Sequence, residues 1–170
     1  MENKEIRKTV YHHYEQGFHC AEVIAKTVLE RFSSEPHPEA IKIASGFGGG
    51  IAGSTQHLCG ALTGGIIALS SLFGRQDPTE DLKKFAAATN EFKERFLDAF
   101  GALDCHAILA KSDPKQDPYG CVKLTAQAAV ILSGLIDDLA AQQKMDPSTL
   151  GPQTREQIVR GQCPFGGCSC

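Results

Sequence analysis

Apolar residues along this chain return at every third or fourth position, the period of an α-helix with one buried face. Ile6, Val10, Tyr14 and Gly17 keep that step and predict a first helix that stops near Gln16-Gly17. Ala21, Ile24, Ala25, Val28 and Phe32 predict a second, opened by Cys20 and ended before Ser33-Ser34 and the punctuation of Pro36 and Pro38. A short third helix over Pro38 to Ser45 runs into the glycine-rich stretch GFGGGIAGS, and a fourth spans about Cys59 to Phe73, stopping at Gly74. Asp77-Pro78-Thr79-Glu80 reads as the start of a fifth, because proline is tolerated in a first turn and acidic groups favour its positive end. Its apolar stripe is Phe85, Ala88, Phe92, Phe96, Ala99 and Leu103, which at helical spacing is core. A short turn near Cys105 to Ala110 and the loop SDPKQDPYG follow. The last long helix, from about Tyr119 to Gln143, has Val122, Ala126, Ala129, Ser133, Ile136 and Ala140 on one face. No run alternates at the period of a strand. The pattern predicts an all-α helical bundle of five to seven helices. It divides into one helical domain over residues 1–145 and a tail over 146–170 rich in Pro, Gly and Cys, with a short helix near Arg155 to Arg160.

A chain of 170 residues can bury a core without disulfide staples. A net charge of -3 and a pI near 6.1 offer no basic face, so no nucleic-acid partner is expected. Between Lys42 and Arg75 there is no formal charge, but Gly, Ser and Thr interrupt the run. It falls short of the ~20 predominantly apolar residues that cross a bilayer, so the expectation is a buried helix and no membrane insertion. The start, MENKEIRK, lacks the apolar segment of a secretory signal, and the expected location is cytoplasmic. Structural disulfides are uncommon in that reducing compartment. Seven cysteines there call for metal, cluster or thiol chemistry, and an odd number cannot all pair within one chain. No Ser/His/Asp set, paired carboxylates or HExxH argues for a hydrolase.

The positions of the cysteines say more than their number. Cys20, Cys59, Cys105 and Cys121 each fall in or beside the first turn of an expected helix. The first N–H groups of a helix lack intrahelical partners and, with the helix dipole, favour negative charge. A thiol there is expected to ionise more easily, and the thiolate is the form that attacks disulfides or binds metal. A single cysteine more often just fills core space, and these four are spaced nothing like the paired CxxC of a zinc knuckle. A site made of all four must be assembled by the fold. Gly48, Gly50 and Gly53 match GxGxxG, but the nucleotide-binding version follows a strand and here a helix precedes. The glycines read better as backbone that bends close to the site, with the N–H groups of Gly48, Gly49 and Gly50 left to bond sulfur. Ser54, Thr55 and Thr63 serve in the same way or as caps. His12-His13 reads as surface. In the tail, Cys163, Cys168 and Cys170 could form a second metal site, a resolving pair or a mobile end that closes over the main site.

At CGALTG, Cys59 to Gly64, the residues reach a known pattern. With Cys20 in FHCAEVI, the preceding SGFGGGIAGS, then Cys105 and Cys121, the chain resembles the C_GCAxxG_C_C family of redox-active proteins from about residue 10 to 140. The family label puts cysteine directly before the alanine; here Gly60 stands there and Cys59 one place earlier, the CGAxxG form. The resemblance implies that Cys20, Cys59, Cys105 and Cys121 are the four family cysteines, that Gly60 and Gly64 belong to the motif, and that the role is redox, with a redox partner protein. A second copy of the chain, as a homodimer, is the other partner considered. A similar module accompanies haem in split-Soret-type cytochromes, beside an iron–sulfur centre; this chain has no CxxCH for covalent haem. Two redox mechanisms fit. The four cysteines hold an iron–sulfur cluster, most simply 2Fe–2S, with His19, His57 and His106 as substitutes or neighbours; or Cys20/Cys59 and Cys105/Cys121 cycle between dithiol and disulfide. The alternative outside redox chemistry is a zinc site on the same four thiolates.

Overall fold

The helices expected between residues 3 and 141 are all present in the computed structural model, which describes residues 3–111 and 119–141. They are α1 (Asn3–Glu15), α2 (Cys20–Phe32), α3 (Pro38–Ala44), α4 (Gly60–Phe73), α5 (Lys83–Phe100), α6 (Cys105–Leu109) and α7 (Gly120–Ala141), with a 3-10 turn over Ser45–Phe47. The fold is all-α. Among the described residues the extended pairing is an isolated antiparallel bridge, Leu58 with Asp104. Residues 112–118 of the expected loop, and the tail with its helix near Arg155 to Arg160 and Cys163, Cys168 and Cys170, lie outside the described residues.

Helix α2 is the centre of the bundle, packed by α1, α3, α4 and α7. Ala21, Val23, Ile24, Ala25, Thr27, Val28 and Leu29 are all buried, a span wider than one face. A helix buried on several sides must be apolar on several sides. Its closest neighbour is α4, whose first six residues, Gly60 to Gly65, are buried. A Cβ on Gly64 would sit 2.1 Å from the Ala21 carbonyl oxygen and 2.6 Å from its Cα. The two backbones therefore touch, and only glycine fits at that crossing. On another side of α4, Gly65 faces the ring of Phe92. Phe92 and Phe96 are fully buried and meet edge to face with centroids 6.1 Å apart, as Phe96 does with Phe100 at 4.5 Å. The phenylalanine stripe is core.

Helix α7 has the length and apolarity of a membrane span. In the bundle its residues Thr125, Ala126, Ala128, Ala129, Leu132, Ser133, Leu135 and Ile136 are buried, and the helix packs on α1, α2, α4 and α5. Two sequence expectations change. α5 begins at Lys83 rather than at Asp77. The Asp77 carboxylate accepts hydrogen bonds from the backbone and hydroxyl of Thr79, closing a local turn that competes with helix, and Asp81 accepts the Lys83 N–H at 2.8 Å. His13 is not on the surface. It lies one turn beyond Val10 on the face of Ile6 and is 4% exposed, its Nε2 2.9 Å from a Glu30 carboxylate oxygen and its Nδ1 3.3 Å from the Gln16 side-chain oxygen.

Candidate functional site

Cys20 is the first residue of α2, Cys59 the N-cap of α4, Cys105 the first residue of α6, and Cys121 the second of α7. The segment between α3 and α4 lies against Cys20 and Cys105. From Gly49 to Gly53 five successive residues have positive φ, from 50° to 72°, which makes one left-handed turn. It is closed by hydrogen bonds from Ala52 N–H to the Gly46 carbonyl at 3.0 Å, Gly53 to Gly48 at 3.0 Å, and Thr55 to Gly49 at 2.8 Å. An L-residue in that region costs roughly 1–2 kcal/mol, so Ile51, Ala52 and Thr55 are held there against their preference. Ser54 donates to the Gly50 carbonyl and Thr63 to those of Cys59 and Gly60, so both hydroxyls serve the local backbone.

The turn lies directly on two of the cysteines. A Cβ on Gly50 would fall 2.7 Å from the Cβ of Cys105, and one on Gly48 3.3 Å from that of His19. The Gly49 N–H points at the sulfur of Cys20, 3.5 Å away. A Cβ on Gly60 would stand 2.4 Å from the same sulfur. Cys20 Sγ therefore meets bare backbone both of the glycine turn and of α4. Gly60 occupies the place where the family label writes cysteine.

Cys59 and Cys105 are joined differently. The Cys59 N–H donates to the Leu103 carbonyl and the Cys105 N–H to that of His57, both at 2.8 Å, around the Leu58–Asp104 bridge. Side chains alternate across such a pairing. Leu58 and Asp104 accordingly face out, whereas Cys59 and Cys105 share the inner side, 6% and 7% exposed. Cys20 is half-buried and Cys121 exposed.

The expected easy ionisation does not hold at Cys59, Cys105 or Cys121. Burial pushes the Cys59 thiol up to about 12; N–H groups of Ala61 and Leu62 pull it down, while charge on Cys20 and Cys105 pushes it further. Burial also raises Cys105, with charge on Cys121 and Cys20 adding to it, and Cys121 rises by burial and by Cys20. Desolvation and mutual repulsion outweigh the helix-end field. Cys20 contributes to the upward shift of each of the other three thiols.

One neighbour has no signal in the cysteine pattern. The Tyr14 hydroxyl lies 2.9 Å from Thr125 Oγ1, and that hydroxyl donates to the Cys121 carbonyl at 2.8 Å. Burial drives the phenol far above its ordinary value; Thr125 lowers it, and charge on Cys20, Cys121 or Cys59 raises it again. The available clue was a hydroxyl on the apolar stripe of the first helix, opposite a threonine one turn after Cys121. His19, His57 and His106 are exposed. Among the described residues no three His, Cys, Asp or Glu side chains converge as ligands of one metal ion.

No curated protein and no solved structure matches the chain. The family model described as "Putative redox-active protein (C_GCAxxG_C_C)" matches residues 18–135, which takes in all four cysteines, the glycine turn and the CGAxxG segment. The chain belongs to that family.

Proposed function

We propose that the protein is a one-electron carrier whose four cysteines, Cys20, Cys59, Cys105 and Cys121, hold one 2Fe–2S cluster. What supports this reading is that burial, together with neighbouring thiols, holds Cys59, Cys105 and Cys121 above the ordinary thiol range, with Cys20 contributing to each of the three shifts. Such thiols are poor nucleophiles. At pH 7 a thiol with a pKa of about 12 is ionised in roughly one molecule in 10⁵, which works against rapid disulfide exchange at Cys59. A coordinating metal deprotonates its thiols outright and cancels their repulsion. The donor set suits the cluster: four cysteines, with the Gly49 N–H already directed at a sulfur. Zinc needs its ligands to converge on one point, and no three described side chains do so. A 2Fe–2S centre divides its four cysteines between two irons and so does not ask all four to meet at one point.

The cluster supplies the electron-accepting orbital. The chain supplies thiolate ligands, N–H groups on sulfur, and exclusion of water at Cys59 and Cys105. A reducing cytoplasm would keep the apo thiols competent for loading, and a redox partner protein would exchange the electron. The test is anaerobic purification followed by visible absorption and iron and sulfide analysis. The expected result is a coloured protein with equimolar iron and sulfide that loses its colour on Cys59→Ser or Cys105→Ser. A colourless chain with one zinc overturns the proposal.

A further inference from the structure

We infer that the segment Gly101–Lys111 is a flap over the cysteine site, opened by local unfolding and held shut by Lys111 on the end of α5. The inference rests on the redox reading of the four cysteines and adds the route by which their buried pair is reached. A metal centre needs an entry path, and Cys59 and Cys105 are both buried. Something that covers them has to move. The segment that carries Cys105 is the least secured part of their surroundings. α6 has five residues, and a helix that short does not hold itself in water. Among the described residues no other helix packs on it to the extent that α1 to α5 and α7 pack on one another. Leu103 and Ile108 rest against the core only half-buried. Sparse apolar contact marks the parts of a fold that open well below the free energy of global unfolding.

Two sets of hydrogen bonds fasten the segment, one at its middle and one at its base. At the middle the Cys59 N–H donates to the Leu103 carbonyl and the Cys105 N–H to that of His57, around the Leu58–Asp104 bridge. At the base Lys111 Nζ donates to the Phe100 carbonyl at 3.1 Å. That oxygen belongs to the last turn of α5, where carbonyls lack partners within the helix and a cation meets the negative end of the helix dipole. Gly101 lets the ammonium come so near. It is left-handed at φ 67°, and a Cβ on it would stand 2.5 Å from Lys111 Nζ. Lys111 thus ties the two ends of the segment together. Opening breaks both bonds at the bridge and draws Cys105 off Gly50, which uncovers the inner side that Cys59 and Cys105 share.

The test is native-state hydrogen exchange on the full-length, metal-free, reduced chain. The Cys59 and Cys105 amides should exchange through an opening insensitive to low denaturant and roughly tenfold or more as frequent as that of the Val23 and Ile24 amides in α2. Lys111→Met should speed the two cysteine amides about twofold to fivefold and leave those of α2 unchanged. Lys111→Arg, which keeps a cation over the carbonyl, should exchange as the wild type does. If the cysteine amides open only as often as those of α2, there is no flap. If Lys111→Met speeds all amides alike, or Lys111→Arg behaves as Lys111→Met does, Lys111 is not the clasp and the inference fails. If the wild-type chain takes up no cluster, the proposed function fails, and the exchange pattern still decides the flap.

Discussion

On the side of α4 that faces α2, Gly64 lies against the backbone of Ala21; on the side that faces α5 and α7, Gly65 lies against the rings and methyls of Phe92 and Leu132. Both glycines are buried, and a Cβ on either would come closer than atoms can. The difference is what stands opposite. A phenylalanine ring can turn or slide in its core, but a carbonyl inside a helix cannot move without its helix. The α2 side is thus a rigid seam with the cysteines at its head, and the α5/α7 side is an ordinary side-chain core. Fold and site depend on the two sides to different degrees.

Gly64→Ala should have the largest effect, because it must part α2 from α4. A loss of about 3 kcal/mol or more is expected, read as a fall in melting temperature of roughly 6–12 °C, together with loss of metal uptake. Gly65→Ala should cost about 1–2 kcal/mol from crowding Phe92, partly offset by better helix propensity, and the site should survive. Equal effects at the two positions would break the distinction between seam and core.

The head of the seam also gives a pH signature. The Cys59 thiol ionises at 9.0 when unperturbed and at about 12 in the fold. Between those values the unfolded chain binds fewer protons than the native one, so stability is complete below pH 9 and falls as pH rises toward 12. Metal-free Cys59→Ala should lose less stability over that window in chemical denaturation at stepped pH. The smallest effect is expected at Gly134, an exposed α7 position with open space around its Cα. There Gly134→Ala should stabilise by about 0.5–1 kcal/mol, and destabilisation would show that the α7 surface is not free.

Much of this was readable along the chain. Ala21, Ile24, Ala25 and Val28 announce a helix by period alone, and the placing of Cys20, Cys59, Cys105 and Cys121 at helix starts needed only those boundaries. The glycine turn was legible as a bend but not as a left-handed one, since Ile51 and Ala52 carry no side-chain preference for positive φ. Thiol ionisation was misjudged because a helix start is visible in sequence while burial at 6% or 7% exposure is a tertiary property. Tyr14 and Thr125 stand 111 residues apart, and a hydroxyl on the apolar stripe of the first helix hints at a buried partner without saying which residue it is. His13 was hidden in a charged neighbourhood, although its spacing from Ile6 and Val10 already placed it inward.

Native mass spectrometry of the chain purified without oxygen bears most directly on the four sulfurs acting as one centre. The account predicts a mass excess of one 2Fe–2S unit on the wild-type chain, absent after Cys20→Ser, Cys59→Ser or Cys105→Ser alike. A single zinc, or a cluster retained in full by all three variants, would contradict it.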